Sequence, residues 1–208
     1  YMSGGQLSVP MIIRTVSGGG NQLAATHSQN LEGMYAHVPG LKVVAPSTPY
    51  DAWGLFRTAL KDNNTVLFVE HSLLYGSRGE VPEGYFEVPF GKADVKREGK
   101  DVTIVGYLRT VPLALQAAKQ LAAEGIEAEV VDLRSLRPLD GETVIESVKK
   151  TNRAVVVAEG WRLGHFANEV IAQIQEKAFD HLDAPVQRVT GADAPMPYAR
   201  HLELASMP

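Results

Sequence analysis

His27 is the residue in this chain that is best placed to move a proton. It lies in the segment Thr26–Gln29 (THSQ), after a strand-like run and a glycine-rich loop and before a segment with helical spacing. Open α/β sheets usually hold their ligands at such strand-to-helix mouths. If the helix begins at Ser28, its free N–H groups would disfavour the protonated ring, and a neutral imidazole can accept or relay a proton. Spacing alone favours a simpler interpretation, in which His27 hydrogen-bonds a loop carbonyl.

Oxygen ligands for a cation are grouped in the sequence ALKDNN at 59–64. A helix that ends there would leave carbonyl groups unpaired, with negative dipole character, and Asp62 and Asn64 would add side-chain oxygens. Such a set could coordinate a hard cation. From the residues alone, an ordinary helix C-cap and turn is the stronger interpretation, because Asp and Asn favour both.

The other candidate residues give weaker signals. The run Ser17-Gly18-Gly19-Gly20 matches neither the dinucleotide nor the P-loop spacing, so a flexible loop is favoured over a phosphate cradle. His165 is expected to be a surface or packing residue. Surface caps or salt bridges are the favoured interpretation for five side chains near predicted strand or helix ends: Glu32, Glu70, His71, Asp140 and Glu159.

Two αβ blocks must position these residues, and the first has a βαβ pattern that predicts a parallel sheet. Thr48, Pro49 and Asp51 predict a helix start, as N-cap, N1 and N3 residues. The predicted elements of this block are strand 9–16, helix 28–36, strand 42–45, a helix from Pro49 to about Lys61, and strand 65–70.

The second block alternates strands and helices more cleanly. Continuous apolar strands such as AVVVA at 154–158 are typical of a sheet covered on both faces. Gly125 is expected to end the first helix as its C′ residue. The predicted elements are strand 101–107, helix 111–124, strand 128–133, helix 141–150, strand 154–158, helix 164–181 and strand 186–189. Between the blocks we expect a linker with one extended segment, 85–90.

Composition restricts the class of protein. The chain has 208 residues, 45% hydrophobic and 21% charged, as in ordinary globular proteins. A net charge of -4 argues against a nucleic-acid partner. An apolar run of about 18 residues is missing, so no membrane span is expected. The absence of cysteine excludes disulfides and thiolate metal sites within these residues.

Segments along the whole chain resemble the beta subunit of the thiamine-diphosphate-dependent 2-oxo acid dehydrogenases. The similarity is specific in combination and spans essentially all 208 residues. Its pieces are YMSGGQ at 1–6, THSQNLEG at 26–33, PGLKVVAPSTPYDAWGL at 39–55, ALKDNN at 59–64, VEHSLLYG at 69–76, GKADVKREGKDVTIV at 91–105, EVVDLRSLRPLD at 129–140 and TGADAPMPYARHLE at 190–203.

The resemblance implies an α/β fold of two parallel-sheet αβα blocks. Residues 1–75 would be the C-terminal part of a pyrimidine-binding domain, 76–99 a linker and 100–208 a transketolase C-terminal-like domain. It implies that His27 positions substrate and moves protons, including during acyl transfer to lipoamide. It also implies a potassium site whose ligands carry over as Met11, Ala59, Leu60, Asp62 and Asn64.

The same resemblance implies that the chain holds part of a composite site. The thiamine diphosphate and its Mg would be shared with an alpha subunit in an α2β2 heterotetramer. No cofactor-binding residue is expected within the chain, because the activating glutamate is expected upstream of residue 1. The further partners would be a dihydrolipoyl acyltransferase core and a small 2-oxo acid.

Several expectations qualify this picture. Arg14-Thr15-Val16-Ser17 stands where relatives usually have Arg-Gly-Pro, so the loop leading to His27 is expected to differ in shape. The abrupt start and end of the chain suggest a piece of a longer polypeptide, which would be inactive alone. The compartment would be the bacterial cytoplasm, or the mitochondrial matrix or plastid stroma of a eukaryote.

The substrate class and the alternatives remain open. MPYA at 196–199 is closer to pyruvate-type members than to branched-chain ones. One alternative is a subunit of an acetoin-cleaving or other transketolase-like thiamine enzyme. Another is a non-catalytic assembly module with a flavodoxin-like sheet, which a full-length gene without the upstream glutamate would favour.

Overall fold

The first sheet contains the predicted parallel βαβ unit. In the computed structural model, which describes residues 2–208, helix α3 (Pro49–Leu60) connects β2 (Lys42–Val44) to β3 (Val66–His71). β3 pairs in parallel with β2 on one side and with β1 (Ile12–Ser17) on the other. Tyr1, the first residue of the YMSGGQ match, lies outside the described residues.

The start of α3 is as predicted. The Thr48 side chain accepts a hydrogen bond from the Asp51 backbone N–H at 3.1 Å, and Pro49 is the first helical residue. Proline is tolerated there because its missing N–H would have no partner inside the helix. The cap fixes the direction in which α3 leaves β2, and therefore where its carboxyl end lies.

The second sheet is mostly parallel, with strand order β4-β6-β5-β8-β9. Its first strand, β4, runs antiparallel to β6. Gly125 follows α4 with φ of +83°, as the C′ prediction requires. The elements are β4 (Asp94–Arg97), β5 (Val102–Gly106), α4 (Thr110–Ala123), β6 (Ala128–Asp132), α5 (Gly141–Thr151), β8 (Ala154–Val157), α6 (Ala167–Ala178) and β9 (Gln187–Val189).

Some local predictions were wrong. The expected extended segment 85–90 forms no strand, whereas β4 forms just after it. A seven-residue helix, α7 (Arg200–Ser206), closes the chain without having been predicted. The predicted helix 164–181 begins later, at Ala167, and its last turn is a 3₁₀ turn.

The segment around His27 differs from the prediction of one helix from Ser28 to Ala36. It contains two short helices, α1 (Ala24–His27) and α2 (Glu32–Ala36), separated by an irregular stretch. Ser28 is outside the helical region, with φ of −126° and ψ of 32°, and the Gln29 carbonyl accepts a hydrogen bond from Gly18 N–H at 3.2 Å. This tertiary bond uses the Gln29 carbonyl outside any helical ladder, so the helical spacing of the sequence is overridden.

A strand of the second block belongs to the first sheet. β7 (Ser135–Arg137) pairs antiparallel with β2, so the first sheet has the order β1-β3-β2-β7. The main hydrophobic core is shared in the same way, since Val43 and Leu67 pack in one cluster with Val105 and Val156. The two blocks therefore form one packed unit. Within residues 2–208, none of the helices combines the length and apolar character needed to cross a bilayer.

Candidate active site

His27 lies on the wall of an open cavity of about 500 Å³ at the carboxyl ends of β1 and β3. The side chain is exposed, and its ring forms no hydrogen bond with any residue in the described range. His27 is the last residue of α1 rather than the residue before a helix. The expected helix N-terminus beside the imidazole is therefore absent from this segment, and the dipole argument does not apply.

The cavity wall consists of apolar and neutral polar side chains, with Glu32 as the one carboxylate among the described lining residues. Those lining residues include no lysine or arginine. Ligand sites commonly have this mixture of apolar walls and a few polar groups. The lining residues are Thr15, Val16, Ser17, Leu23, Thr26, His27, Gln29, Leu31, Glu32, Tyr35, Leu67, Val69 and Ser72.

The glycine run at 18–20 is bound by carboxylates from the second block. Gly19 N–H donates to Glu159 Oε1 at 2.7 Å, and Gly20 N–H donates to Glu203 Oε1 at 2.9 Å. Gln22 N–H donates to both Glu203 oxygens, at 2.9 and 3.1 Å. These amides are thus already paired with protein anions, and the segment is neither a phosphate cradle nor a loop without tertiary partners.

Ser17, at the end of β1, connects the glycine run to the stretch after His27. Its hydroxyl lies 3.0 Å from both Asn30 Oδ1 and Glu32 Oε2 and 3.3 Å from the Gln29 carbonyl. A hydroxyl has one proton to donate, so these acceptors share it. Ser17 therefore ties the end of β1 to the stretch that follows His27.

Glu32 is buried in a polar network with the second block. Tyr107 Oη donates to Glu32 Oε1 at 3.0 Å, and His165 Nε2 lies 3.3 Å from Tyr107 Oη. Ala167 N–H donates to His165 Nδ1 at 3.2 Å, so the ring proton is on Nε2 and points to this network. The expected surface role for Glu32 is wrong, and His165 is a buried polar residue rather than a surface one.

The charges in this network shift the pKa values of its members. Burial raises the pKa of Glu32, but the hydrogen bonds from His165 and Tyr107 outweigh it and hold that pKa below the ordinary value. Burial and the adjacent Glu32 carboxylate raise the pKa of Tyr107. The network therefore keeps an ionised carboxylate and a protonated phenol at neutral pH.

A second buried pair, His71 with Glu159, joins the ends of β3 and β8. His71 Nε2 lies 2.9 Å from Glu159 Oε2, and Leu73 N–H donates to His71 Nδ1 at 3.2 Å, which leaves the ring proton on Nε2. Burial raises the pKa of Glu159, but His71, Gly19 N–H and Arg109 together hold it below its ordinary value. The expected salt bridge forms at Glu70, with the exposed Arg14 at 2.7 Å, and it also forms between His71 and Glu159, but that second pair is buried rather than on the surface.

The sequence indicated where several of these polar side chains lie, but not which residues they contact. His71, Tyr107 and Glu159 each lie at or just beyond the carboxyl end of a strand, which is a signal that the sequence does carry. Nothing in the sequence pairs them across the two blocks. Glu203 was not considered at all, because the helix that carries it was not predicted.

The predicted cation ligands are only partly brought together. Met11, Ala59, Leu60 and Asp62 line a cavity of about 350 Å³, and Asn64 is not part of its wall. The Met11 carbonyl already accepts from Val66 N–H at 2.9 Å, and the Ala59 carbonyl accepts from Asp62 N–H at 3.2 Å.

The Asp62 carboxylate has partners of its own. Burial raises the pKa of Asp62, but the Lys42 ammonium and the Asn64 N–H outweigh it and hold that pKa below the ordinary value. Over residues 2–208, no group of three or more His, Cys, Asp or Glu side chains could hold a metal ion. A cation here would therefore depend on backbone carbonyls.

Two family models match the chain. The model described as "Transketolase, pyrimidine binding domain" matches residues 1–77. The model described as "Transketolase, C-terminal domain" matches residues 91–208, which is more than half of the chain. The two matched ranges correspond to the two blocks, and the side chains that form hydrogen bonds between these blocks include Glu32, His71, Glu159 and Glu203.

Curated relatives are similar over the whole chain. It is 48% identical over 208 residues to "Pyruvate dehydrogenase E1 component subunit beta" of Rickettsia felis and spans 64% of that protein. It is 47% identical over 208 residues to "Acetoin:2,6-dichlorophenolindophenol oxidoreductase subunit beta" of Bacillus subtilis and spans 61% of it. It is 48% identical to the mitochondrial pyruvate dehydrogenase E1 component subunit beta of Dictyostelium discoideum and spans 59% of it.

A solved structure has the same fold. The structure described as "Split gene transketolase, inactive beta4 tetramer" superimposes with a TM-score of 0.70 at 28% identity. The superposition covers 89% of this chain and 58% of the other. With the two family models, these similarities lead to one conclusion: the chain belongs to the transketolase family, with a pyrimidine-binding part followed by the C-terminal domain.

Proposed function

We propose that the chain is part of the beta subunit of a 2-oxo acid dehydrogenase, with pyruvate as the substrate. The observation that carries the proposal is the 48% identity over all 208 residues to a protein named as a pyruvate dehydrogenase beta subunit. The exposed His27 in an open cavity supports it, since its ring has no hydrogen-bond partner among residues 2–208. The chain spans 64% of that relative, so the activity, substrate and partners of the whole protein are part of the proposal.

The proposed reaction is the oxidative decarboxylation of the 2-oxo acid with reductive acylation of lipoamide. The bond between the carboxylate and the carbonyl carbon breaks, and CO2 leaves. The electron pair of that bond reduces the lipoyl disulfide, whose S–S bond breaks. One sulfur forms a bond to the acyl carbon, and the other takes up a proton that comes from solution by way of a protein side chain.

His27 is proposed as the catalytic residue that this chain contributes. An exposed imidazole at the cavity wall can accept or deliver a proton near neutral pH. Its task would be to deliver the proton to the departing lipoyl sulfur and to position the substrate. The adjacent Gln29 lines the same cavity and would add a neutral hydrogen-bonding group.

Thiamine diphosphate with Mg is the cofactor that this function requires, and it would supply a carbon nucleophile that accepts the electrons of the broken bond. The cavity suits the ring end of such a cofactor, because its walls are apolar or neutral except at Glu32. Since no lysine or arginine is among the described lining residues, the diphosphate and Mg would be held by the alpha subunit. We therefore propose an α2β2 heterotetramer, which docks on a dihydrolipoyl acyltransferase core.

A potassium ion is proposed at the cavity beside the end of α3. The free acceptor there is the Leu60 carbonyl, supported by second lone pairs on the Met11 and Ala59 carbonyls. Asp62 would act with its charge partly compensated by Lys42. Asn64 would have to move to reach the ion.

The test uses the full-length subunit co-expressed with its alpha subunit. We expect the purified complex to acylate a lipoyl domain with pyruvate, and His27→Ala to leave assembly intact while lowering acylation by about 100-fold or more, as loss of a general acid or base does. His181→Ala, an exposed histidine outside the cavity wall, should have no effect. Acylation that is unchanged in His27→Ala would contradict the role of His27.

A second candidate is the acetoin-cleaving enzyme, which the 47% identity to the Bacillus subtilis protein favours. The same complex should be assayed with acetoin and with pyruvate, and with a branched-chain 2-oxo acid as a third substrate. Turnover of acetoin without turnover of pyruvate would replace the first proposal by this one. The compartment would be the cytoplasm of a bacterium or, in a eukaryote, the mitochondrial matrix or plastid stroma.

A further inference from the structure

We propose that Glu203 is a positioning residue for His27, through the loop that carries it. This inference rests on the proposed role of His27. Glu203 lies on α7 in the last turns of the chain, far from His27 in sequence, and its side chain is 1% exposed. Its carboxylate accepts from the N–H groups of Gly20 and Gln22.

The bonds to this carboxylate are the ones that a buried anion needs. Burying a carboxylate is costly unless hydrogen bonds satisfy it. Within the described residues, Glu203 has no cation partner, and the bonds recorded for its carboxylate come from the two loop amides. Charge-assisted bonds of this kind are about twice as strong as neutral ones. The carboxylate and the loop backbone therefore hold each other in place.

The loop has a conformation that requires such support. Gln22 and Ala24 have φ of +56° and +58°, and L side chains adopt this left-handed region only at an energetic cost. Such residues persist where the surroundings over-determine them. Glu203 binds the amides on either side of Asn21, the second of which belongs to Gln22 itself, and Ala24 then begins the single helical turn that ends at His27.

The glycines fit the same arrangement. A Cβ on Gly20 would lie 2.4 Å from Leu73 Cδ1, so the backbone packs against Leu73 while its N–H faces Glu203. Glu159 makes an equivalent bond to Gly19, one residue earlier. Two carboxylates of the C-terminal domain thus hold successive amides of the loop, and those that Glu203 binds are the nearer ones to His27 in the chain.

The first experiment measures His27 itself. In the full-length complex, diethyl pyrocarbonate should modify His27 at a rate that changes several-fold in Glu203→Ala, because the loop is released. The rate is measured by mass spectrometry of the His27 peptide. Glu146→Gln, on the exposed face of α5, is the matched control and should modify at the wild-type rate. An unchanged rate in Glu203→Ala would overturn the proposal, whatever reaction the enzyme catalyses.

The second experiment measures acylation of a lipoyl domain in a double-mutant cycle. Glu203→Ala should lower kcat by about 10- to 100-fold, since a displacement of about 1 Å can have this effect. It should leave KM for pyruvate within about threefold. Because Glu203 acts through His27, the His27→Ala/Glu203→Ala double variant should be no slower than His27→Ala. Effects that multiply in the double variant would overturn the proposal.

Glu203→Gln and the wild-type complex separate the possible failures. Glu203→Gln keeps one acceptor oxygen, so this variant should fold and its kcat should lie between those of the wild type and Glu203→Ala. If Glu203→Ala does not assemble, Glu203→Gln replaces it in both experiments. A wild-type complex that does not acylate the lipoyl domain would contradict the proposed function, while the modification experiment would still decide the role of Glu203.

Discussion

Asp132 is fully buried at the carboxyl end of β6, where charges from both blocks meet. Burial, together with the charge of the neighbouring Asp51, raises the pKa of Asp132 to about 7. The ammonium of Lys96, at 3.7 Å, opposes this rise. Lys96 lies closer to Asp51, at 2.6 Å, and to Asp94, at 2.7 Å, and Arg134 Nε also pairs with Asp51, at 2.6 Å. The cations therefore compensate Asp51 better than Asp132, and Asp132 is the group that resists ionisation.

We predict that Asp132→Asn stabilises the subunit above neutral pH. Since the folded-state pKa of about 7 lies above the ordinary value of 3.8, the stabilisation linked to this group is complete below about pH 4 and is lost as pH rises through 7. The variant should gain about 1–3 kcal/mol in free energy of unfolding at pH 8 relative to wild type, and less at pH 5, where part of the linked stabilisation is still present. Urea unfolding at both pH values measures the difference, and an equal effect at the two would contradict the assignment.

At the scale of elements, the segment after β3 is fastened to the exposed side of α3. The Arg57 guanidinium donates to the Gly84 carbonyl at 2.9 Å and lies 4.6 Å from the Trp53 ring. Thr58 Oγ1 donates to the Val88 carbonyl at 2.6 Å. The expected linker is thus held as an ordered strap along the helix over residues 84–88.

Gly54 is the residue that lets this strap approach α3. A Cβ at this position would lie 2.4 Å from Val88 Cγ2 and 3.0 Å from the Val88 backbone nitrogen. We predict that Gly54→Ala destabilises the subunit by about 1–3 kcal/mol through overpacking, although alanine is the better helix former by about 1 kcal/mol.

The control for this prediction is Gly76→Ala, where no atom lies within 4 Å of the added Cβ. That substitution should be neutral or stabilise by up to about 1 kcal/mol, by restricting the unfolded chain. Denaturant midpoints compare the two variants. A Gly54→Ala protein as stable as wild type would show that the strap can separate from α3 without cost.

At the scale of the whole molecule, the seam, which is the contact surface between the two blocks, has an apolar part and a polar part. β7 crosses into the first sheet and the apolar core is continuous, while two histidine–glutamate pairs are buried between the blocks. Breaking a buried pair leaves an uncompensated polar group, which costs more than the pair contributes. The seam therefore fixes the two blocks in one relative arrangement around the His27 loop.

Potassium binding is a prediction for the assembled molecule. A ligand that binds only the folded state raises the melting temperature by mass action. We expect the full complex to melt a few degrees higher in potassium chloride than in sodium chloride of equal ionic strength, and Asp62→Asn to reduce that difference. Differential scanning calorimetry measures it, and equal melting temperatures in the two salts would exclude the ion site.

Much of the fold was predictable because its signals are local. The Thr48 cap, the Gly125 C′ position and the apolar strand at 154–157 depend on neighbouring residues, and each lies where the sequence predicts. The segment around His27 was mispredicted because its helical spacing competes with tertiary hydrogen bonds from Ser17 and Gly18. Local propensity is a weak preference that such bonds override.

The position of His27 near a strand end, and the family, follow from the order of residues alone, because motif and periodicity are properties of the chain. The contacts around His27 do not follow from the sequence. Which carboxylates bind the loop amides, that His71 and Glu159 are buried together, and that β7 joins the first sheet depend on residues distant in the chain. Such pairings are decided by how two sheets pack into one core, where each buried polar group must find a partner.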